Sequence, residues 1–166
     1  MHIEMTHRIY TDVDTYWNDV FFNVAFTKHL YLDKLNFKSF ELVRFDVQDD
    51  GSIRRIIRTE PRGEIPRHLR RFIGDSICYV EDGEFDARSR RWRFTLIPSH
   101  FADKVSITGE MKVIDRGNRV LDRVVNMEVR VNVMGMGRLI ESFVGRLIRE
   151  SYDSATAFTH DWLNRP

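Results

Sequence analysis

The sequence predicts an α+β fold: an antiparallel sheet of six to seven strands wrapped around a long C-terminal helix, with a short helix pair after the first strand. Three observations predict it. Apolar and polar residues alternate with period two from about Phe37 to Val133, as strands with one dry face require. One unbroken amphipathic stripe then runs from Arg138 to about Leu163. Between them stands Met134-Gly135-Met136-Gly137, where glycine permits the sharp corner that folds the helix back over the sheet.

The elements follow in order. Ile3, Met5, His7 and Ile9 alternate with His2, Glu4, Thr6 and Arg8 and form a first strand. Thr11 and Asp14 give a start signal close to a capping box, and apolar residues then keep helical spacing to about Asp33, with one break expected near Lys28. Asp49-Asp50-Gly51 turns the hairpin between Phe40–Gln48 and Ile53–Thr59. Ile77–Asp86 and Arg91–Pro98 flank a turn at Ala87-Arg88-Ser89. Val105, Ile107, Gly109, Met111 and Val113 precede a turn at Gly117-Asn118, and Leu121, Val125, Met127, Val129, Val131 and Val133 line the dry face of the last strand.

That dry face needs a cover, which the final helix supplies. Leu139, Ile140, Phe143, Val144, Leu147, Ile148, Ala155, Phe158 and Trp162 share one arc, with Arg138, Arg146, Arg149 and Asp153 opposite. The helix would be roughly 40 Å long, enough to cross the sheet.

Composition narrows the function. The 166 residues predict one domain, 1–166, large enough for its own core. Twenty-six Lys+Arg against 25 Asp+Glu leave a net charge of +1, which argues against nucleic acid as a partner. A lone Cys78 cannot form an internal disulfide, and no signal-peptide pattern is present, so a cytoplasmic location is expected. No run approaches the ~18 apolar residues of a membrane span. Between Arg54 and Arg71 seven arginines face two glutamates, and Ile65 to Gly74 reads as a short basic amphipathic helix. Its expected role is a lid docked on the sheet. Its second use would be peripheral contact with an anionic membrane.

Enzyme signatures are missing: there is no Gly-x-Ser-x-Gly elbow, His-Glu-x-x-His helix or Cys-x-x-Cys pair, and the six histidines lack metal-ligand spacing. Neither a metal nor a cofactor is expected. Gly135-x-Gly137 resembles a phosphate cradle, but the chain ends with the helix and no parallel strand returns, so the corner reading is preferred.

His7-Arg8-Ile9-Tyr10 before Asp12 to Trp17, Ile65-Pro66 leading to Phe72-Ile73-Gly74, and Val131 to Glu141 carry a resemblance over nearly the whole chain. It resembles the helix-grip fold of the START-like (SRPBCC, Bet v 1-like) superfamily, and within it the DUF2505 family. Met136 departs from the adjacent glycines of the related pattern. The resemblance implies a cavity between sheet and helix, and no particular catalytic residue.

The expected function is therefore binding or transport of a hydrophobic small molecule, a lipid or polyketide-like ring, in that cavity. The alternative is a cyclase- or dehydratase-like enzyme using the same cavity, with His7 or a cavity carboxylate for acid/base work. A third reading is a partner-binding domain with a filled interior. The candidate ligand-binding residues are Met5, Met111 and Met127 as flexible fillers, Phe94 and Leu96, Phe143 and Leu147 on the helix, and two polar residues on apolar faces, His7 and Ser151, with Ser154 beside the latter. Ordinary core packing also explains each of the apolar ones, and a helical serine commonly bonds the carbonyl one turn back.

Overall fold

The computed structural model describes all 166 residues. Seven antiparallel strands form one sheet: β1 (His2–Ile9), β2 (Ser39–Val47), β3 (Ile53–Glu60), β4 (Tyr79–Asp86), β5 (Arg91–Pro98), β6 (Val105–Gly117) and β7 (Val120–Val131). Their spatial order is β1-β7-β6-β5-β4-β3-β2, so six strands meander and the first closes beside the last. The helices are α1 (Val13–Thr15), α2 (Val24–His29), α3 (Arg67–Ile73) and α4 (Gly137–Leu163). This is the sheet wrapped around a terminal helix that the alternation and the stripe predicted, and the helix-grip fold that the resemblance implied.

The helix pair breaks earlier than expected. Asp12 caps α1 by accepting from the Thr15 amide at 2.9 Å, and the chain continues as a π-turn over Tyr16–Phe21. It stops at Asn23, not Lys28, because the Asn23 side chain caps α2 through the Phe26 amide at 2.9 Å. A second π-turn, Leu30–Lys34, ends the pair. The wider winding turns Tyr16, Trp17 and Val20 together into the interior.

Turn chemistry follows the sequence. Gly51 has φ 84° in the β2–β3 hairpin, and Asn118 and Arg119 both take positive φ between β6 and β7. β2, apolar on both faces, resolves its ambiguity with a register shift between Leu42 and Arg44.

The corner into α4 is structural. Gly135 has φ 74°, and a Cβ on Gly137 would stand 2.5 Å from the Val131 carbonyl oxygen. Glu141 then returns to accept from the Val131 amide at 3.0 Å, pinning the helix start to the sheet. Farther along, Gly145 lets α4 press on β1, since a Cβ there would meet Met1 Cε at 2.3 Å. Two residues depart from the expected arc. Leu139 is exposed, and Arg146, expected on the far side, borders the interior space.

Sixteen buried side chains form the main core, from Ile3 and Ile9 through Trp17 and Trp92 to Val125 and Val129. A second cluster of four, Ile65, Leu69, Ile140 and Phe143, fastens α3. α3, expected as a lid on the sheet, docks on the first turns of α4, with Val131 at the end of β7 packed against the same cluster.

Candidate functional site: an interior cavity beneath the final helix

Sheet and α4 do not meet everywhere. Between them lies a cavity of about 510 Å³, closed at the sides by α2 with its π-turn and by α3, and 29 of its 45 lining residues are hydrophobic. α4 packs on β1 and β7, tightly at Gly145, and the cavity lies between it and β3 to β6. The volume lies within the ~300–1,000 Å³ of small-molecule sites.

Of the residues singled out from sequence, Phe94, Leu96, Met111, Met127, Phe143, Leu147 and Ser151 line this space, as does Ser154. Met5 and His7 do not. Met5 is packed in the filled core. His7 lies between β1 and α4, with Nε2 3.0 Å from Asp153 Oδ1 and its ring stacked on Tyr152 at 6.3 Å. Burial, then the Arg123 charge, push the His7 imidazole below its ordinary value against the pull of Asp153. Ser151 makes no bond to the Leu147 carbonyl; Thr156 and Thr159 are the helix residues that bond back, each at 2.8 Å.

The wall has a polar sector that the sequence reading missed. Arg55 and Glu81, 5% and 8% exposed, form an ion pair at 3.0 Å inside the molecule. Arg55 also donates to the Phe21 carbonyl at 2.8 Å and lies over the Phe21 and Trp92 rings, at 4.5 and 4.9 Å. Only Oε1 of Glu81 is engaged by this pair. Tyr31, Tyr79 and Tyr152 line the same space. Burial pushes all three phenols up, Tyr79 to about 12, and the charge of Glu81 adds to each shift. At neutral pH they are protonated hydrogen-bond donors.

Arg123 completes the sector. It is 4% exposed and faces the cavity from β7. Its Nη2 donates to the Thr156 hydroxyl at 2.7 Å and the Tyr152 carbonyl at 3.3 Å.

A signal for these residues existed. Arg55, Glu81 and Arg123 occupy inward positions of β3, β4 and β7, each breaking an apolar alternation. Arg55 sits among the seven arginines between Arg54 and Arg71, and Glu81 beside Asp82, Glu84 and Asp86, so local charge runs mask the inward position of both.

The cavity reaches solvent where its lining is exposed: Lys34, Arg62, Gly63, Glu64, Arg146 and Glu150 form a charged rim beside α3. No group of three His, Cys, Asp or Glu side chains is placed to hold a metal ion. No helix is long and apolar enough to cross a membrane.

The sequence model of the family described as "Protein of unknown function (DUF2505)" matches residues 4–163. No curated protein matches the chain. Solved structures do. A START superfamily protein from Mycobacterium smegmatis is 14% identical, with TM-score 0.64 over 98% of this chain and 99% of that one. The Zhui aromatase/cyclase from Streptomyces sp. R1128 is 13% identical, with TM-score 0.65 over 96% and 93%. Truncated norcoclaurine synthase from Thalictrum flavum is 17% identical, with TM-score 0.69 over 100% and 95%. At these identities the likeness is one of fold.

Proposed function

We propose that this chain, which belongs to the DUF2505 family and has a START-like fold, binds and carries a hydrophobic small molecule in the cavity beneath α4. The observation that carries the reading is the unfilled apolar space of about 510 Å³, in an interior that is elsewhere close-packed. An empty apolar hollow forfeits dispersion contacts, which a guest of matching shape restores. Large aromatic and flexible Met side chains on the wall suit a lipid tail or a fused ring. Arg67, Arg70 and Arg71 stay exposed beside the rim, an arrangement that suits exchange of the guest at an anionic surface.

Native mass spectrometry of protein purified from its host tests the reading. A stoichiometric lipid-like adduct and saturable uptake of a hydrophobic dye are expected. An unliganded mass together with no saturable dye uptake would sink it.

One observation favours a second reading, catalysis on the bound molecule. Glu81 offers the cavity a carboxylate with one oxygen uncommitted, surrounded by protonated phenols, which is a proton acceptor and donors in one place. His7, outside the wall, has no such position. The aromatase/cyclase and norcoclaurine synthase among the similar structures are enzymes by name. Incubation with a host lipid extract, followed by mass spectrometry, separates the readings. Product formation lost in Glu81→Gln while dye uptake persists would mean turnover; an unchanged guest would mean carriage alone.

A further inference from the structure

The interior holds two buried arginines with opposite circumstances. Arg55 has Glu81 as a counter-charge. Arg123 takes part in no ion pair; the nearby carboxylate of Asp153 is 75% exposed and engaged by His7, and that of Asp122 faces outward to Arg8 and Arg116. Both hydrogen bonds of Arg123 leave through Nη2 to neutral oxygens, and its buried Nε has no partner. The Tyr152 ring lies 5.2 Å from the guanidinium but carries no charge to cancel it. His7 is its cross-strand neighbour, and after burial the Arg123 charge helps to push that imidazole down.

A buried charge without a counter-ion is costly, and proteins seldom keep one that no binding partner neutralises. Here the cation stands on the wall of an apolar cavity.

We propose that Arg123 anchors the anionic end of an amphipathic guest, a molecule with one carboxylate on an apolar chain or ring system. This rests on the cavity being a binding site and names the class of molecule it takes. One guanidinium matches one carboxylate, and its planar fork suits the two oxygens. A doubly charged phosphate would bring an excess charge that no second buried cation offsets, since Arg55 is already paired with Glu81 and the unpaired Lys34, Arg62 and Arg146 stand at the exposed rim. The Arg55–Glu81 pair, already neutral, leaves the remainder of the polar sector to uncharged hydroxyls or carbonyls of the guest.

The test compares dodecanoate with dodecan-1-ol, both below the micelle threshold, as competitors of the neutral dye N-phenyl-1-naphthylamine. The carboxylate is expected to displace the dye at roughly 30-fold lower concentration, the scale of a buried charge pair gaining its partner. Arg123→Met should erase that preference, read as the ratio of acid to alcohol displacement at whatever affinity the variant has for the dye, and Arg123→Lys should keep part of it. Equal displacement by acid and alcohol in the unmodified chain would overturn the proposal and leave the cavity reading standing. Absence of saturable dye binding would overturn both. Persistence of the preference in folded Arg123→Met would place the anion at the rim cations Lys34, Arg62 or Arg146 and overturn the proposal as well, and Arg123→Gln serves the same reading should the methionine variant fail to fold.

Discussion

The two ends of the interior are built from the same residue types and behave differently. Beneath the hairpin end of β4 and β5 the space is full: Trp17, Phe21, Phe22, Phe85 and Trp92 meet edge to face and tilted at 4.7–5.8 Å. Glycine makes this density possible, because a Cβ on Gly83 would fall 2.0 Å from Trp92 Cζ2 and one on Gly109 would fall 2.3 Å from Phe94 Cζ. Toward α3 and the middle of α4, large side chains line a space they do not fill. Arg55 forms the partition, its guanidinium against the aromatic rings and its ion pair toward the hollow. The difference teaches that apolar residues alone do not make a filled core. What decides is where a ring can lie: Gly83 seats Trp92 within the packed end, while Phe94, seated over Gly109, borders the hollow.

The contrast can be broken by truncation. Trp92→Ala at the packed end should cost about 3–5 kcal/mol in denaturant unfolding, while Leu147→Ala at the cavity wall should cost less than about 2 kcal/mol, since fewer partners surround it. Equal losses would mean that the wall is as tightly held as the aromatic end. Removing the partition's cation by Arg55→Met strands Glu81 and should cost about 3 kcal/mol, far more than a surface arginine.

Filling sharpens it. Ser151→Leu places apolar volume in the open half and should change stability by under about 1 kcal/mol while reducing dye uptake. Gly83→Ala adds a single methyl at the packed end and should destabilise by about 1–3 kcal/mol. If the leucine proved as disruptive as the alanine, the hollow would be no hollow.

The smallest effects come from titration. His7 is held neutral, its folded value below 6.5, so the unfolded chain binds more protons as pH falls beneath 6.5 and stability should decline across that window. His7→Gln should flatten this part of the acid limb in unfolding curves measured from pH 7 to 5. At the alkaline side Tyr31, Tyr79 and Tyr152 keep their protons above pH 10, so tyrosinate absorbance should rise late, and stability should fall between pH 10 and 12. An absorbance rise complete near pH 10 would show those phenols to be open to solvent.

Most of the architecture was legible because period two and period 3.6 are written directly in the chain. Strand positions, the Gly51 and Asn118 turns and the span of α4 all follow from pattern, although β4 starts at Tyr79 and not Ile77, and β7 ends at Val131 and not Val133. The helix break was not, since capping by Asn23 outweighs the apolar spacing that continues past it. Of the candidate site, the residues on β5, β6 and the middle of α4 were found by face. Met5 and His7 share that face but lie where α4 presses on β1, and distance between layers is not encoded in alternation. The charged members were readable only position by position, as inward residues of a wrong polarity.

The small cluster that fastens α3 has a kinetic consequence. Ile65 and Leu69 grip Ile140 and Phe143 apart from the sixteen-residue core. Seven residues of helix can therefore lift while the sheet stays hydrogen-bonded, as local openings need far less free energy than global unfolding. On the proposed carrier reading, residence time of the guest would be governed by this one latch, and tightening or loosening four side chains would retune it without touching the body of the protein.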